Sequence, residues 1–325
     1  MDADTLRTRR QLRRLEIRRR RRRAAALVAL LVALIAVALI VALGSHSDSS
    51  PARSQAKASG AARAPSADAS RVAGPARDRR AVSGPPGTEP VPILMYHVIA
   101  APPPGAPFPG LYVQPQEFAE QMQALKDAGW HAVTLDQVAA YWQRGVSLGA
   151  GKPIVLSFDN GYQSQYAQAL PVLRRLGWVG VENMQLTGLP PSQGGLGQQE
   201  IHALVGAGWE LDTQGFSHAD LITLSPRQLR YQVAVAREVV RRRYGVPVNW
   251  FCYPSGHYDA TVVAEVRAAG YKGSTTVVPG WAHPGDDPYR LHRLRVLGGT
   301  SAGELLALLS DTRADPPAPP SYGEA

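Results

Sequence analysis

Short apolar runs and helix-period stretches alternate along residues 91–312. "VPILMYHVI" (91–99) is a nearly unbroken apolar run and predicts a buried strand. "PQEFAEQMQALKDAG" (115–129) repeats apolar positions every three or four residues, opens on Pro115 and stops at Gly129, which predicts a helix. Further strands are predicted at "HAVTL", "PIVLSFD", "WVGVENMQL", "WELDTQ", "VNWFCYP", "YKGSTTVV" and "YRLHRLRV". Between them lie helical patterns at "DQVAAYWQRG", "YAQALPVLRRLG", "QQEIHALVGAG", "DATVVAEVRAAG" and "SAGELLALLSDT". The longest is "SPRQLRYQVAVAREVVRRRYG", with Ser225 placed to cap and Pro226 at the first helical position. About seven βα units with apolar strands imply an α/β fold with a parallel sheet and helices outside. The expectation is a distorted (β/α) barrel, with an open doubly wound sheet as the alternative.

The pattern before residue 91 is different. Residues 24–44, "AAALVALLVALIAVALIVALG", hold no polar side chain. At about 1.5 Å per residue such a helix crosses a bilayer core of about 30 Å. It predicts one transmembrane helix, too long for the apolar part of an ordinary signal peptide. Residues 1–23 carry eleven arginines against Asp2, Asp4 and Glu16, and so hold eight of the nine net positive charges. This basic tail predicts a cytoplasmic N-terminus and an extracytoplasmic folded domain, held by a single pass in the plasma membrane. Residues 45–90 are rich in Ala, Ser, Pro, Gly and Arg and predict a disordered linker, and residues 313–325 a disordered tail.

Charge and cysteine content narrow the function. The sequence pI is near 9.9, but the excess sits in the tail, so the folded part is close to neutral and nucleic acid is not an expected partner. The single cysteine, Cys252, excludes an intrachain disulfide and reads as a small buried hydrophobe. No glycine-rich phosphate loop follows a strand.

In a barrel the working residues stand at the C-terminal ends of the strands. Asp159, Asn160, Gln214, His218 and Pro254 fall there. A hydrolytic zinc site takes three protein ligands and one water, with a separate carboxylate as base. Asp159 is placed for the base, and Asn160, Gln214 and His218 for ligands. Asp212 shares a strand face with Gln214 and could rearrange the site, or pair with Asp159 as the two carboxylates of a glycosidase.

Three motifs in this order, "SFDNG" (157–161), "QGFSH" (214–218) and "YPSG" (253–256), resemble the polysaccharide deacetylases, the NodB-homology or carbohydrate esterase family four domain. "VPILMYH" (91–97), "YDATVVAEVRAAGY" (258–271) and "DPYRLHRLRV" (287–296) resemble the branch acting on exopolysaccharide. The resemblance implies a barrel of about seven units and removal of N-acetyl groups from glycan with a divalent metal, zinc or similar. It implies that Asp159 is the catalytic base, that His218 is a metal ligand and that Arg293 belongs to the site. Asn160 stands where the family has the metal-binding Asp, Gln214 where it has the first metal His, and Cys252 where many members have an Arg. His97, His257 and His292 are candidates for a catalytic acid. Tyr253, Pro254, Gly256 and Trp281 are assigned to a substrate groove, with Trp281 as the exposed platform and Trp209, Trp250 and Tyr258 as further aromatics near the strand ends. An Asn/Gln/His set brings no charge and one imidazole to a cation, a poor exchange for Asp/His/His. The readings are a catalytically silent relative that binds cell-envelope polysaccharide or peptidoglycan, an active N-deacetylase with an atypical site, or the carboxylate-pair glycosidase.

Overall fold

The computed structural model describes residues 84–187, 189 and 194–314. The basic tail, the predicted membrane segment 24–44, most of the 45–90 linker and the tail beyond residue 314 lie outside the described residues. Among those described, no helix is long and apolar enough to cross a membrane.

Eight parallel strands form one sheet. They are β1 (Ile93–Tyr96), β2 (Trp130–Val133), β3 (Lys152–Asn160), β4 (Val181–Met184), β5 (Glu210–Thr213), β6 (Trp250–Cys252), β7 (Gly273–Thr275) and β8 (Leu294–Arg295). The order is β7-β6-β5-β4-β3-β1-β8, with β2 paired to the first half of β3 and β1 to its second half. The two edges come together, because Leu291 just before β8 bridges Thr275 of β7, and β8 pairs with β1. The sheet is a curled, distorted barrel rather than an open doubly wound one.

The main α-helices are α1 (Pro115–Asp127), α2 (Leu135–Arg144), α3 (Leu170–Leu176), α4 (Gln198–Gly206), α5 (Pro226–Arg230), α6 (Ala236–Tyr244), α7 (Ala260–Ala268) and α8 (Ala302–Ala314). Two predicted helices are interrupted: π-helical turns at Gln165–Ala169 and Tyr231–Val235 lead into α3 and join α5 to α6. Strand side chains alternate between faces. Leu94, Tyr96, Leu156 and Phe158 point outward and pack with Phe118, Met122, Leu173 and Leu305 of the helices. Ile93, Val155, Val181, Trp250 and Leu291 point inward at the N-terminal end of the strands, where Leu135, Val138 and Ala139 of α2 join them. Helix α2 thus closes the floor of the barrel. It starts on Thr134, whose side chain accepts from Gln137 N, and ends at Gly145 in the left-handed region (φ +64°).

The folded domain begins earlier than residue 91. Residues 84–90 lie along α2: Gly84 N donates to Arg144 O, Gly87 N to Tyr141 O, Glu89 N to the Tyr141 hydroxyl, and Trp142 Nε1 to Glu89 O. A Cβ on Gly145 would collide with Pro85 O, so glycine is required there both for its φ and for this close approach.

Candidate functional site

Above the apolar floor the inward-facing positions turn polar. Asp159 is 1% exposed and both its oxygens are occupied. Arg293, equally buried, grips it in a fork, Nη1 to Oδ1 at 2.8 Å and Nη2 to Oδ2 at 2.9 Å. Asn183, its register partner on β4, donates to Oδ1 at 2.9 Å, and the Cys252 thiol faces Oδ2 at 3.5 Å. Arg293 is itself fixed, donating Nε to Thr276 O and Nη1 to Ser157 Oγ. Burial alone would raise the Asp159 carboxyl, but the Arg293 charge and hydrogen bonds outweigh it and hold the group down at about 2. The same burial pushes the Cys252 thiol up to about 12, so it stays protonated.

The other strand-end candidates gather around this pair. Asn160 closes β3 at φ +80°, where asparagine is among the residues that tolerate a left-handed backbone. Gln214 is buried and its Oε1 has no hydrogen-bond partner among the described residues. His218 is half-buried at φ +49°, its imidazole lowered by burial. Asn160, His218 and Ser255 (φ +57°) are the non-glycine residues with positive φ among those described, and they stand at, or in the segment after, a strand's C-terminal end. Such concentration is the usual place for stored backbone strain. His97, just past β1, lies within electrostatic reach of Asp159, His218 and Arg293; burial lowers it to about 4, so it is neutral. His257 is drawn aside to Asp220 Oδ1 at 3.1 Å. His292 is half-buried beside Arg293 in sequence and takes no part in the Asp159 network.

The residues present do not fit the family's divalent metal. Asn160 and Gln214 offer neutral amide oxygens, His218 offers one imidazole, and the Asp159 oxygens are spent on Arg293 and Asn183. Among the described residues, no group of three His, Cys, Asp or Glu side chains could hold a metal ion. Asp212 does not repair the set. Its Oδ1 accepts from Asn249 N at 2.9 Å and Trp250 N at 2.8 Å, and burial, then the Glu210 charge, raises its pKa well above the ordinary carboxylate value. Held by the backbone at the start of β6 in this way, Asp212 joins neither the rearranged site nor a carboxylate pair with Asp159.

Two glutamines brace the rim, and neither stands out in the sequence. Gln165, opening the first π turn, donates to both His97 O and Asp159 O at 2.8 Å and so ties β1 to β3. Gln232, in the second, accepts from Phe216 N and Ser217 N at 2.9 Å and donates to Ser217 Oγ, fixing the loop that carries Gln214 and His218. Asn183, too, was missed. Its only sequence signal is a polar residue inside an apolar strand.

The aromatic assignments need correction. Trp281 is 6% exposed and sits at the floor, because Ala282 pairs with Val91 at the start of β1. There it packs against Trp130 and lines a cavity of about 530 Å³ with Lys152 and Arg313, at the opposite end of the barrel from Asp159. Tyr253 is buried, stacked on Tyr258, with its hydroxyl spent on Tyr289 O. Pro254 and Gly256 are buried beneath the rim, and a Cβ on Gly256 (φ +78°) would collide with Val277. These residues support the site from below and do not line an open groove. Trp209 and Trp250 are core residues.

Comparison with known proteins agrees with this architecture. Residues 149–274 match the polysaccharide deacetylase family. The chain is 25% identical over 223 residues to YxkH of Bacillus subtilis (strain 168), which is named as a polysaccharide deacetylase, across 69% of this chain and 77% of that one. Among solved structures it is similar to the deacetylase PplD of Streptococcus pyogenes, in complex with acetate, at 26% identity and a TM-score of 0.63, covering 68% of this chain and 98% of that one. It is also similar to BC0361, a polysaccharide deacetylase from Bacillus cereus, at 26% identity and a TM-score of 0.60, covering 68% and 69% of the two chains. The three motifs, the curled barrel and these likenesses agree with the family match, which makes residues 149–274 a polysaccharide deacetylase domain.

Proposed function

We propose that this chain is a membrane-anchored, extracytoplasmic member of the family that binds N-acetylated cell-envelope glycan, peptidoglycan or another envelope polysaccharide, without hydrolysing it. One observation carries the reading: the positions of two metal ligands hold amides, while the carboxylate in the position of the base is locked to Arg293 at a pKa of about 2. A carboxylate with so low a pKa takes up protons poorly, and a general base works best near the ambient pH. What remains at the strand ends is a set of hydrogen-bonding groups without a carboxylate free for a metal, Asn160 and Gln214 buried and His218 half-buried at the rim. The 21-residue apolar segment and arginine tail support the anchoring and its orientation.

Elemental analysis of the purified full-length protein, with acetate release measured on N-acetylglucosamine polymers, tests the reading. The expected result is metal far below stoichiometric and no acetate release when zinc, cobalt or nickel is supplied, with retention on the polymer. Stoichiometric metal together with acetate release lost on chelation would establish an atypical active enzyme instead. Recovery of the protein in the soluble fraction of lysed cells would overturn the anchoring.

A further inference from the structure

The rim of the site continues onto an exposed aromatic face. Phe216, between Gln214 and His218, packs on Tyr231 with ring centroids 4.6 Å apart and 38° between planes. Tyr231 is 46% exposed, one of the few large apolar side chains so exposed among the described residues. The support beneath this pair is rigid: Gln232, next to Tyr231, holds the backbone N–H groups of Phe216 and Ser217. From the other side Thr187 donates its N–H and hydroxyl to Phe216 O. Tyr231 opens the second π turn, a local departure from the α-helix that is frequent at functional sites.

Beside the tyrosine lies a cavity of about 410 Å³ lined by Leu224, Arg227, Gln228, Tyr231 and Gln232. That volume is within the roughly 300–1,000 Å³ of small-ligand sites. Its walls combine an aromatic ring with amide and guanidinium donors. Gln228 spends its Oε1 on Ser225, so its amide N–H groups are not used in that contact. An apolar peptide or lipid would leave these donors unpaired. A sugar ring satisfies both kinds of wall, laying its C–H face on the aromatic and turning its hydroxyls to Arg227 and Gln228.

We propose that Phe216 and Tyr231, with Arg227 and Gln228, form a remote sugar subsite that takes a pyranose ring further along the glycan held at the strand ends. The inference rests on the binding reading above and extends it to the path of the polymer. The guanidinium of Arg227 would also suit a chain that carries carboxylate substituents.

Isothermal titration of the full-length protein with β-1,4-linked N-acetylglucosamine oligomers, from disaccharide to hexasaccharide, is the test. Tyr231→Ala should raise Kd for the long oligomers by roughly three- to tenfold, from loss of one aromatic contact, and leave the shortest unchanged. Tyr231→Phe should keep wild-type affinity at every length, and Arg227→Ala should repeat the length dependence if the alanine at 231 harms folding. Wild-type affinity in Tyr231→Ala and Arg227→Ala, or equal weakening at all lengths, would overturn the subsite while the binding reading stands. Failure of the wild-type protein to bind any oligomer would overturn both.

Discussion

Replacing Arg293 by Met tests whether the Asp159 lock governs this domain. The substitution keeps much of the side-chain volume and removes five hydrogen bonds: two to Asp159 and one each to Ser157, Cys252 and Thr276 O. Both partners are 1% exposed, so water cannot replace the lost donors. Breaking a buried ion pair by removing one partner costs about 3–5 kcal/mol, because the other charge is left uncompensated. For a domain of this size about 1 kcal/mol shifts Tm by roughly 2–4 °C, which gives a fall of roughly 6–20 °C at neutral pH. The pH dependence gives the sharper test. In the wild type the Asp159 carboxyl is held at about 2, below its unfolded value, so its contribution is present above the unfolded value and lost as pH falls towards 2. Without Arg293, burial raises the carboxyl above the unfolded value, and the penalty grows as pH rises through the ordinary carboxylate range. The Tm gap between wild type and variant should therefore be widest at neutral pH and shrink below about pH 4. Thermal melts by circular dichroism across that range measure it. Adding Asp159→Asn should recover a large part of the loss, since removing both charges of a buried pair is far milder than removing one. A gap that does not change with pH, or a double variant as unstable as Arg293→Met, would refute the argument.

Two further outcomes are expected. Asn160→Asp with Gln214→His turns the donor set into one carboxylate and two imidazoles, and should bind about one zinc per chain by elemental analysis, where the wild type binds far less; the left-handed backbone at 160 accepts Asp nearly as well as Asn. Glu182 is fully buried on the helix-facing side of β4, with neither oxygen meeting a side-chain partner among the described residues, and burial, then the Asp159 charge, raises its pKa well above normal. The folded state thus holds a proton that the unfolded chain releases, and stability falls as pH rises from the unfolded carboxylate value. Glu182→Gln should flatten that fall and raise Tm at pH 8, measured on the same melts.

Most of the barrel could be read from the chain because short, largely buried strands alternate with helical periods, several of which close on a glycine, as at Gly145, Gly177 and Gly245. The π turns could not: "YAQALPVLRRLG" and "SPRQLRYQVAVAREVVRRRYG" keep an ordinary helical period through the extra residue, and only the bonds of Gln165 and Gln232 to the neighbouring loops reveal why the ladder shifts. At the site, Asp159 and Arg293 were legible as family positions, but the grip of one on the other is long-range, across 134 residues. Asp212 was misread because sharing a strand face with Gln214 does not say which backbone its carboxyl will find. Trp281 was misread for a related reason: a loop tryptophan near a Gly-Pro-rich turn suggests exposure, whereas the antiparallel bridge of its neighbour Ala282 to Val91 carries it to the floor.

The strap over α2 determines how the domain would bear load. Whatever precedes residue 84 is attached at the floor, through hydrogen bonds to Arg144, Tyr141 and Trp142. Tension on the N-terminal chain would be taken first by those bonds and by the close contact at Gly145, at the end of the barrel away from Asp159. If this chain holds a moving polymer, that arrangement places the mechanical fuse at the point of attachment and leaves the rim unstrained.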